Sequence, residues 1–480
     1  MKFDAFLGSS YQSQSILADQ ERTVNRYLEV VESQRGPSPV ALYPTPGLTL
    51  FATLPQTPIR GLFGQDGRCF VVAGSGLYEL SDSAVITLRG GMALDVNPAT
   101  LCSSGQAGDE LFVTSGDKGY ILDLLTNVFT KVVDDVTFGA FLDDYFIGLD
   151  ASASTIKLSN LLDGLTWDGT QIAQRATRGD RWEAMIVANR LIYLLGSQSA
   201  DVWYDADTSP FPFEPIQEAF LDQGGILAPF SIAAGAKGPI WLGRHAHGQA
   251  TVVRGSSGGA PERLSNHGLE QQMNGYSTLA DAVAFTYEDR GHPFYVLNFP
   301  TANATWVYDE LLPPAMGWHE RGYWNAPLMR YDAYRPQYHC HVFGKHLVGD
   351  RSSGAVYQLD PASYLDVDGQ PIRRMRRAPA IVNENKWIFY DRFALDAEVG
   401  VGTITGAGAN PVVMLRWSDD GGHTWSNEHH LALGKIGEFT RRLELRRLGR
   451  GRRRVWEVTD ATPVPPRFVG CYLDFREGLS

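Results

Sequence analysis

Side chains able to do chemistry gather in a few places along this sequence. Ser418, Asp420, Gly422, Thr424 and Trp425 are spaced as S-x-D-x-G-x-T-W. Glycines at 421 and 422 permit positive φ, Ser and Asp side chains bond the backbone of a tight turn, and the Trp packs beneath it. That spacing specifies a structural turn and no catalytic centre. Adjacent carboxylates occur at Asp134-Asp135 and Asp143-Asp144, the raw material of a general acid–base pair. In a chain with 54 Asp and Glu, solvated turns are their expected setting. On a strand, His339 and His341 share one face, and His346 lies five residues on. Imidazoles bind zinc, but no fourth ligand stands at motif spacing, so buried or interface histidines are expected. His245-x-His247 reads the same way. The phosphate-cradling loop G-x-x-x-x-G-K-[ST] is absent. The expectation is a chain with no catalytic residue, no cofactor and no metal ion. The last cluster is basic: Arg441, Arg442, Arg446, Arg447, Arg450, Arg452, Arg453 and Arg454, interleaved with Leu443, Leu445 and Leu448. This alternation predicts strands with arginines facing outward. They would pair with acidic surface, as candidate assembly contacts, or with DNA phosphate.

The elements that position these groups are strands. A pattern recurs: an apolar strand, a turn, then a strand ending in aromatic, apolar and acidic residues. Its copies include Gly76–Leu80, Tyr120–Leu124, Thr155–Ser159, Asp201–Asp205, Ala250–Arg254, Thr305–Asp309 and Ala355–Leu359. Alternation has period 2, and the spacing is that of β-propeller blades, roughly 40–50 residues each. Residues 50–365 are therefore predicted to form an irregular propeller of six or seven blades. A linker rich in Asp, Gly and Pro follows, and composition then changes at Arg373-Arg374-x-Arg376-Arg377. Residues 371–480 read as a smaller, β-sandwich-like assembly domain. Residues 1–49 read as an extended N-terminal arm packing on neighbours or on the C-terminal domain, because prolines at 44 and 46 hold the chain extended. The fold class is all-β.

Composition agrees with many short strands and turns: 44% apolar and 20% charged residues, with 50 glycines, 26 prolines, 20 tyrosines and 23 phenylalanines. The net charge of −12 is uneven. Residues 371–480 hold 18 Lys/Arg against 13 Asp/Glu, and residues 1–370 hold 24 against 41, so the body is acidic and the end basic. An acidic body argues against wrapping nucleic acid, since phosphate neutralisation needs clustered cations. It is compatible with a passage through which DNA slides. Four cysteines without C-x-x-C spacing read as reduced thiols of a protein made in a cytosol. Met1-Lys2-Phe3-Asp4 does not begin a signal peptide, and no apolar run of 18 residues exists.

Three stretches carry a family resemblance. One is Phe6-Leu-Gly-Ser-Ser-Tyr11 with Glu21-Arg22, Asn25, Tyr27 and Tyr43-Pro-x-Pro-Gly47. A second is Gly67-Arg68-x-Phe70-x-Val72-Ala73-Gly74 with Leu77-Tyr78-Glu79. The third joins Arg416 and the 418–425 turn to Arg447-Leu448-Gly449, Arg454-Val455-x-Glu457-Val458-Thr459-Asp460 and Pro466. With these, the sequence resembles the packaged-DNA stabilisation, or tail nozzle, proteins of short-tailed bacteriophages. The resemblance implies a virion protein of the phage tail, made in the host bacterial cytoplasm and without catalytic activity. It implies a six-fold ring that extends the DNA channel below an adaptor ring and portal. That ring would help retain packaged DNA, contacted only in passage, and dock tail fibres, spikes or a needle, with no membrane insertion by this chain. The basic run at 441–454 would then serve subunit or adaptor contacts. A rival comes from the 418–425 turn, which resembles the Asp-box of sialidases and other propellers. It would make the chain a carbohydrate-binding or glycoside-hydrolysing propeller. A propeller scaffold for host interaction, acting as a monomer, is a third reading.

Overall fold

The computed structural model describes residues 1–478 apart from 34, 35, 37, 176, 177, 210, 220, 223, 245–247 and 257–259. The pair His245 and His247 therefore lies outside the described residues. Strands make up about half of the molecule and carry its architecture; the one α-helix among the described residues, His267–Asn274, starts at Asn266, whose side chain accepts a bond from the Leu269 amide.

Each sequence repeat becomes a four-stranded antiparallel sheet with its middle strands buried. Arg68–Ala73 and Gly76–Leu80, for example, lie between Ile59–Gln65 and Ile86–Gly91. Six such sheets follow in order, with innermost strands beginning at Ile59, Thr100, Phe138, Trp182, Ala233 and Val283. A seventh holds Pro336–Val342, Lys345–Asp350 and Ala355–Asp360. Innermost strands of consecutive sheets neighbour one another, and that of the seventh neighbours that of the first, so seven blades surround one axis. The molecule is a β-propeller with a β-sandwich at its C-terminal end. Aromatic and branched side chains from facing blades fill the interfaces, as where Trp182, Tyr193, Trp203 and Trp241 share one core with the third blade's Ile147 and Leu158.

The seventh blade is completed by Gly47–Thr53, which pairs with Ala355–Asp360. The propeller thus takes its last strand from before its first blade, three residues upstream of the expected boundary. A Cβ on Gly47 would sit 2.5 Å from the Ser363 carbonyl oxygen and 2.9 Å from the Leu365 nitrogen, so only glycine lets the two segments meet.

Of the two placements expected for the N-terminal arm, on neighbours or on the C-terminal domain, the described residues take the second, and they do so as paired strands. Gln20–Val24, Arg26–Val30 and Val40–Pro44 are strands within the same chain's sandwich. Gln20–Val24 pairs in parallel with Trp318–Glu320, the outer strand of the sixth blade, and antiparallel with Arg374–Arg377. The sheet continues through Arg453–Asp460, Val412–Ser418 and His429–Ala432, so one sheet runs from propeller into sandwich. The opposing sheet orders Arg26–Val30, Val40–Pro44, Phe468–Glu477, Ile388–Ala397 and Leu443–Arg446. Between them lies a core of Phe3, Phe6, Leu28, Leu42, Phe393, Trp456 and Phe468 among others. Phe3 and Phe6 would be exposed on a free arm. Burying an aromatic side chain is worth about 1.5–3 kcal/mol, which favours docking of the segment on its own chain.

Candidate assembly surfaces and the lattice that supports them

Buried arginines fasten the N-terminal strands to the sandwich. Asp460, fully buried, accepts from Arg26 and, at 2.8 Å, from Arg374. Arg26 also donates to the Pro466 carbonyl at 2.7 Å and lies 3.8 Å above the Phe468 ring. Arg376 donates to the carbonyls of Phe6 (2.6 Å), Ser9 (2.8 Å) and Ala5 (3.1 Å) and reaches Glu21 at 3.3 Å. Arg22 forms a two-pronged pair with Glu320 of the sixth blade at 2.9 and 2.6 Å. Such planar pairs combine charge with fixed orientation. Many of the residues that carry the family resemblance (Phe6, Glu21, Arg22, Asp460, Pro466) are members of this fastening.

The 418–425 turn connects Val412–Ser418 to His429–Ala432. Ser418 Oγ donates to Asp420 at 2.7 Å and accepts from the Gly422 amide at 2.7 Å. Asp420 accepts from the Thr424 hydroxyl at 2.6 Å and from its amide at 2.9 Å. Bonds from the Thr424 hydroxyl and amide and the Ser418 hydroxyl hold the Asp420 carboxyl well below the usual range. Gly421 and Gly422 have φ of +75° and +103°, the left-handed region. The guanidiniums of Arg377 and Arg416 lie 4.7 and 4.8 Å from the centre of the Trp425 ring, and both arginines pair with buried Glu457. Ser418, Asp420, Gly422, Thr424 and Trp425 thus form a turn that caps an arginine pair.

The basic run divides. Arg454 departs from its expected role as an assembly contact: it is buried, bonded to Asp419 at 2.6 and 2.8 Å and to the Leu448 carbonyl at 2.7 Å. It lies on Arg453–Asp460, whose side chains from 454 onward are buried on both faces, so alternation does not separate inward from outward. Arg453 is half-buried and donates to the Leu17 carbonyl at 2.7 Å. Arg446 pairs with Glu444 at 3.1 Å. Arg441, Arg442, Arg447, Arg450 and Arg452 are exposed, and among the described residues none has a carboxylate within ion-pair distance. Arg450 and Arg452 both stack on Trp387, at 4.4 and 4.6 Å. Elsewhere arginines are mostly paired; here they line an edge strand and the approaches to it.

The remaining groups read as structure. Asp135, Asp143 and Asp144 occupy turns at positive φ, and Asp143 pairs with Arg190 at 2.7 Å. His339 and His346 share a bond of 3.0 Å; burial, then the neighbouring imidazoles, push His339 down to about 3. Among the described residues no group of three or more His, Cys, Asp or Glu could hold a metal ion. The four cysteines are free thiols. On the propeller axis two adjoining cavities of about 540 and 390 Å³ share Pro98, Phe230, Val283 and Tyr338, and Phe230 stacks on Phe138 at 4.9 Å.

The fold defines a propeller–sandwich protein with exposed arginines on the edge of its sandwich. Two family models match: one described as bacteriophage P22 Gp10, beta-propeller, over residues 17–364, and one as bacteriophage P22 Gp10, beta-sandwich, over residues 373–475. The chain belongs to the bacteriophage P22 Gp10 family of DNA-stabilisation structural proteins, whose place is the phage virion and tail. No curated protein matches it. Solved structures with a similar fold include the N-terminal domain of Nup159 (10% identity, 73% of this chain and 99% of that one, TM-score 0.40). Virginiamycin B lyase from Staphylococcus aureus gives 10% identity, 65% and 98%, and TM-score 0.41. The extracellular domain of BT4673 from B. thetaiotaomicron gives 9%, 65% and 40%, and 0.43. No helix among the described residues is long and apolar enough to cross a membrane.

Proposed function

We propose that copies of this chain assemble side by side into a six-fold ring that extends the DNA channel of a short phage tail. The ring would sit below the adaptor and portal, help retain packaged DNA, and carry fibres, spikes or a needle beneath it. The observation that carries the reading is the match of both domain models along the chain, from residue 17 to residue 475. Physical features support it. The axial cavities are sized for small molecules, whereas the major groove of duplex DNA alone is about 12 Å wide, so a DNA channel would lie between copies. A body with 24 basic against 41 acidic residues suits a wall along which DNA slides. Unpaired arginines on the sandwich edge suit contact with another subunit or the adaptor.

The test is the mass of the purified protein by light scattering, alone and with its candidate adaptor ring. Growth from 52.9 kDa to six times that mass on the ring is the expected result. A single chain that ignores an intact adaptor ring sinks the reading, and glycan screening would follow.

A further inference from the structure

The ring reading requires two different surfaces on each copy, because side-by-side contacts that close by rotation are heterologous. Two exposed patches have the matching character. The first is the tip of the sandwich, where the loop after Ile388–Ala397 packs on the loop after His429–Ala432. The Gly437 amide bonds the Gly400 carbonyl at 3.1 Å there. Ile404, Ile436 and Phe439 are 83%, 55% and 72% exposed at this tip, and the unpaired Arg441 and Arg442 follow directly. The patch is apolar and basic.

The second lies on the propeller. Antiparallel order puts the first-to-second and third-to-fourth turns of each blade at the same end. Bonds between blades show that these ends align: Arg68 to the Leu124 carbonyl at 2.7 Å, the Gly164 amide to Glu110 at 2.7 Å, and Arg190 to Asp143 at 2.7 Å. On this face the first three blades present Val85, Leu125, Val128 and Leu161 at their third-to-fourth turns, all more than half exposed. Exposed Asp66, Asp82 and Asp144 stand at neighbouring turns, with no cation of the described residues within ion-pair distance. Among the described residues, ten of the 25 exposed large apolar side chains fall between residues 85 and 172, so this stretch holds far more than its share. The patch is apolar and acidic.

We infer that in the ring the sandwich tip of one copy seats on the turn face of the first three blades of the next. The inference rests on the ring reading. Opposite charge and shared apolar content select this occupant, since complementary potentials fix the register of an interface and its desolvated centre is apolar. DNA is the weaker candidate for the tip, because phosphate would leave Ile404, Ile436 and Phe439 without apolar partners.

Two experiments test it on the full-length protein under conditions where the wild type assembles. R441E/R442E and D82K/D144K should each weaken assembly by roughly tenfold or more, and mixing the two reversed proteins should restore part of it. All four positions are exposed, so the thermal midpoint of R441E/R442E should stay unchanged, and that of D82K/D144K should fall only slightly, because Asp144 holds positive φ. Separately, F439C and L125C proteins, mixed, should cross-link between copies, whereas neither should do so alone. If the wild type never assembles, the ring reading falls and takes the inference with it. Should the wild type assemble while both reversals assemble equally well and no cross-link forms, only the inference falls. It falls too if R441E/R442E assembles normally but loses duplex DNA binding, which would make the tip a phosphate contact.

Discussion

Asp460 is the residue on which the fastening of the sandwich turns. Two buried guanidiniums, of Arg26 and Arg374, share its carboxylate. Removing one partner of a buried pair leaves uncompensated charge and typically costs about 3–5 kcal/mol. D460N is therefore expected to lower the urea midpoint by that equivalent, while R446A, at the exposed pair with Glu444, should change it by less than about 1 kcal/mol. His292 gives a pH signature. It is buried between Asp309 at 2.6 Å, on the next strand of the sixth blade, and Glu29 at 3.0 Å, on a sandwich strand. Burial opposes its charge, but the bonds it donates to Asp309 and Glu29 and the charges of these carboxylates outweigh burial, and its pKa is raised above 6.5. A raised folded pKa gives stability that is complete below the unfolded value and lost as pH rises through the folded one. Unfolding midpoints of the wild type should thus fall above pH 6.5, and H292Q should flatten that fall and start lower at pH 6. Asp420 acts in another window: its depressed carboxyl stabilises above its ordinary pKa and ceases to do so in strong acid.

At the scale of elements, the blades were readable because each is local. The repeats at Gly76–Leu80 and Tyr120–Leu124 pair with strands a few residues away, and period-2 alternation suffices to place them. The 418–425 turn was readable for the same reason. The N-terminal strands were not. Gln20–Val24 finds its partners near residues 320 and 376, and Val40–Pro44 touches Phe468, so nothing nearby in sequence announces either pairing. Arg454 was misread because its strand is buried on both faces, where charge is a poor guide to exposure. Sequence reasoning also passed over Arg374 and Arg376 as mere basic composition, though only a buried acceptor distinguishes them. The strand Gly47–Thr53 offers a direct check. G47A pushes a methyl group into the Ser363 backbone and should destabilise by about 1–3 kcal/mol, seen as a lower thermal midpoint. The effect should appear at the seventh blade first, as faster hydrogen exchange across Ala355–Asp360.

For the whole molecule, charge division is the feature that assembly would exploit. In the proposed ring, an acidic propeller and a basic sandwich edge would attract across copies with a strength that salt controls. Raising ionic strength from about 0.15 to 1 M shortens the screening length from about 8 to 3 Å. An assembly steered by these charges should lose mass by light scattering over that range, and one held by apolar contact alone should not.

The strand shared between the beginning of the chain and the seventh blade has a consequence in time. A ribosome adds about 5–20 residues per second, so residues 47–53 emerge roughly 15–60 s before Ala355–Asp360 exists to receive them. The edges of Gln20–Val24 and Val40–Pro44 that meet Arg374–Arg377 and Phe468 wait longer still. During synthesis these segments present unpaired strand edges, the state most open to mispairing with other chains. The clasp that unites propeller and sandwich thus makes folding a late event, completed only when the last strands of the molecule have left the ribosome.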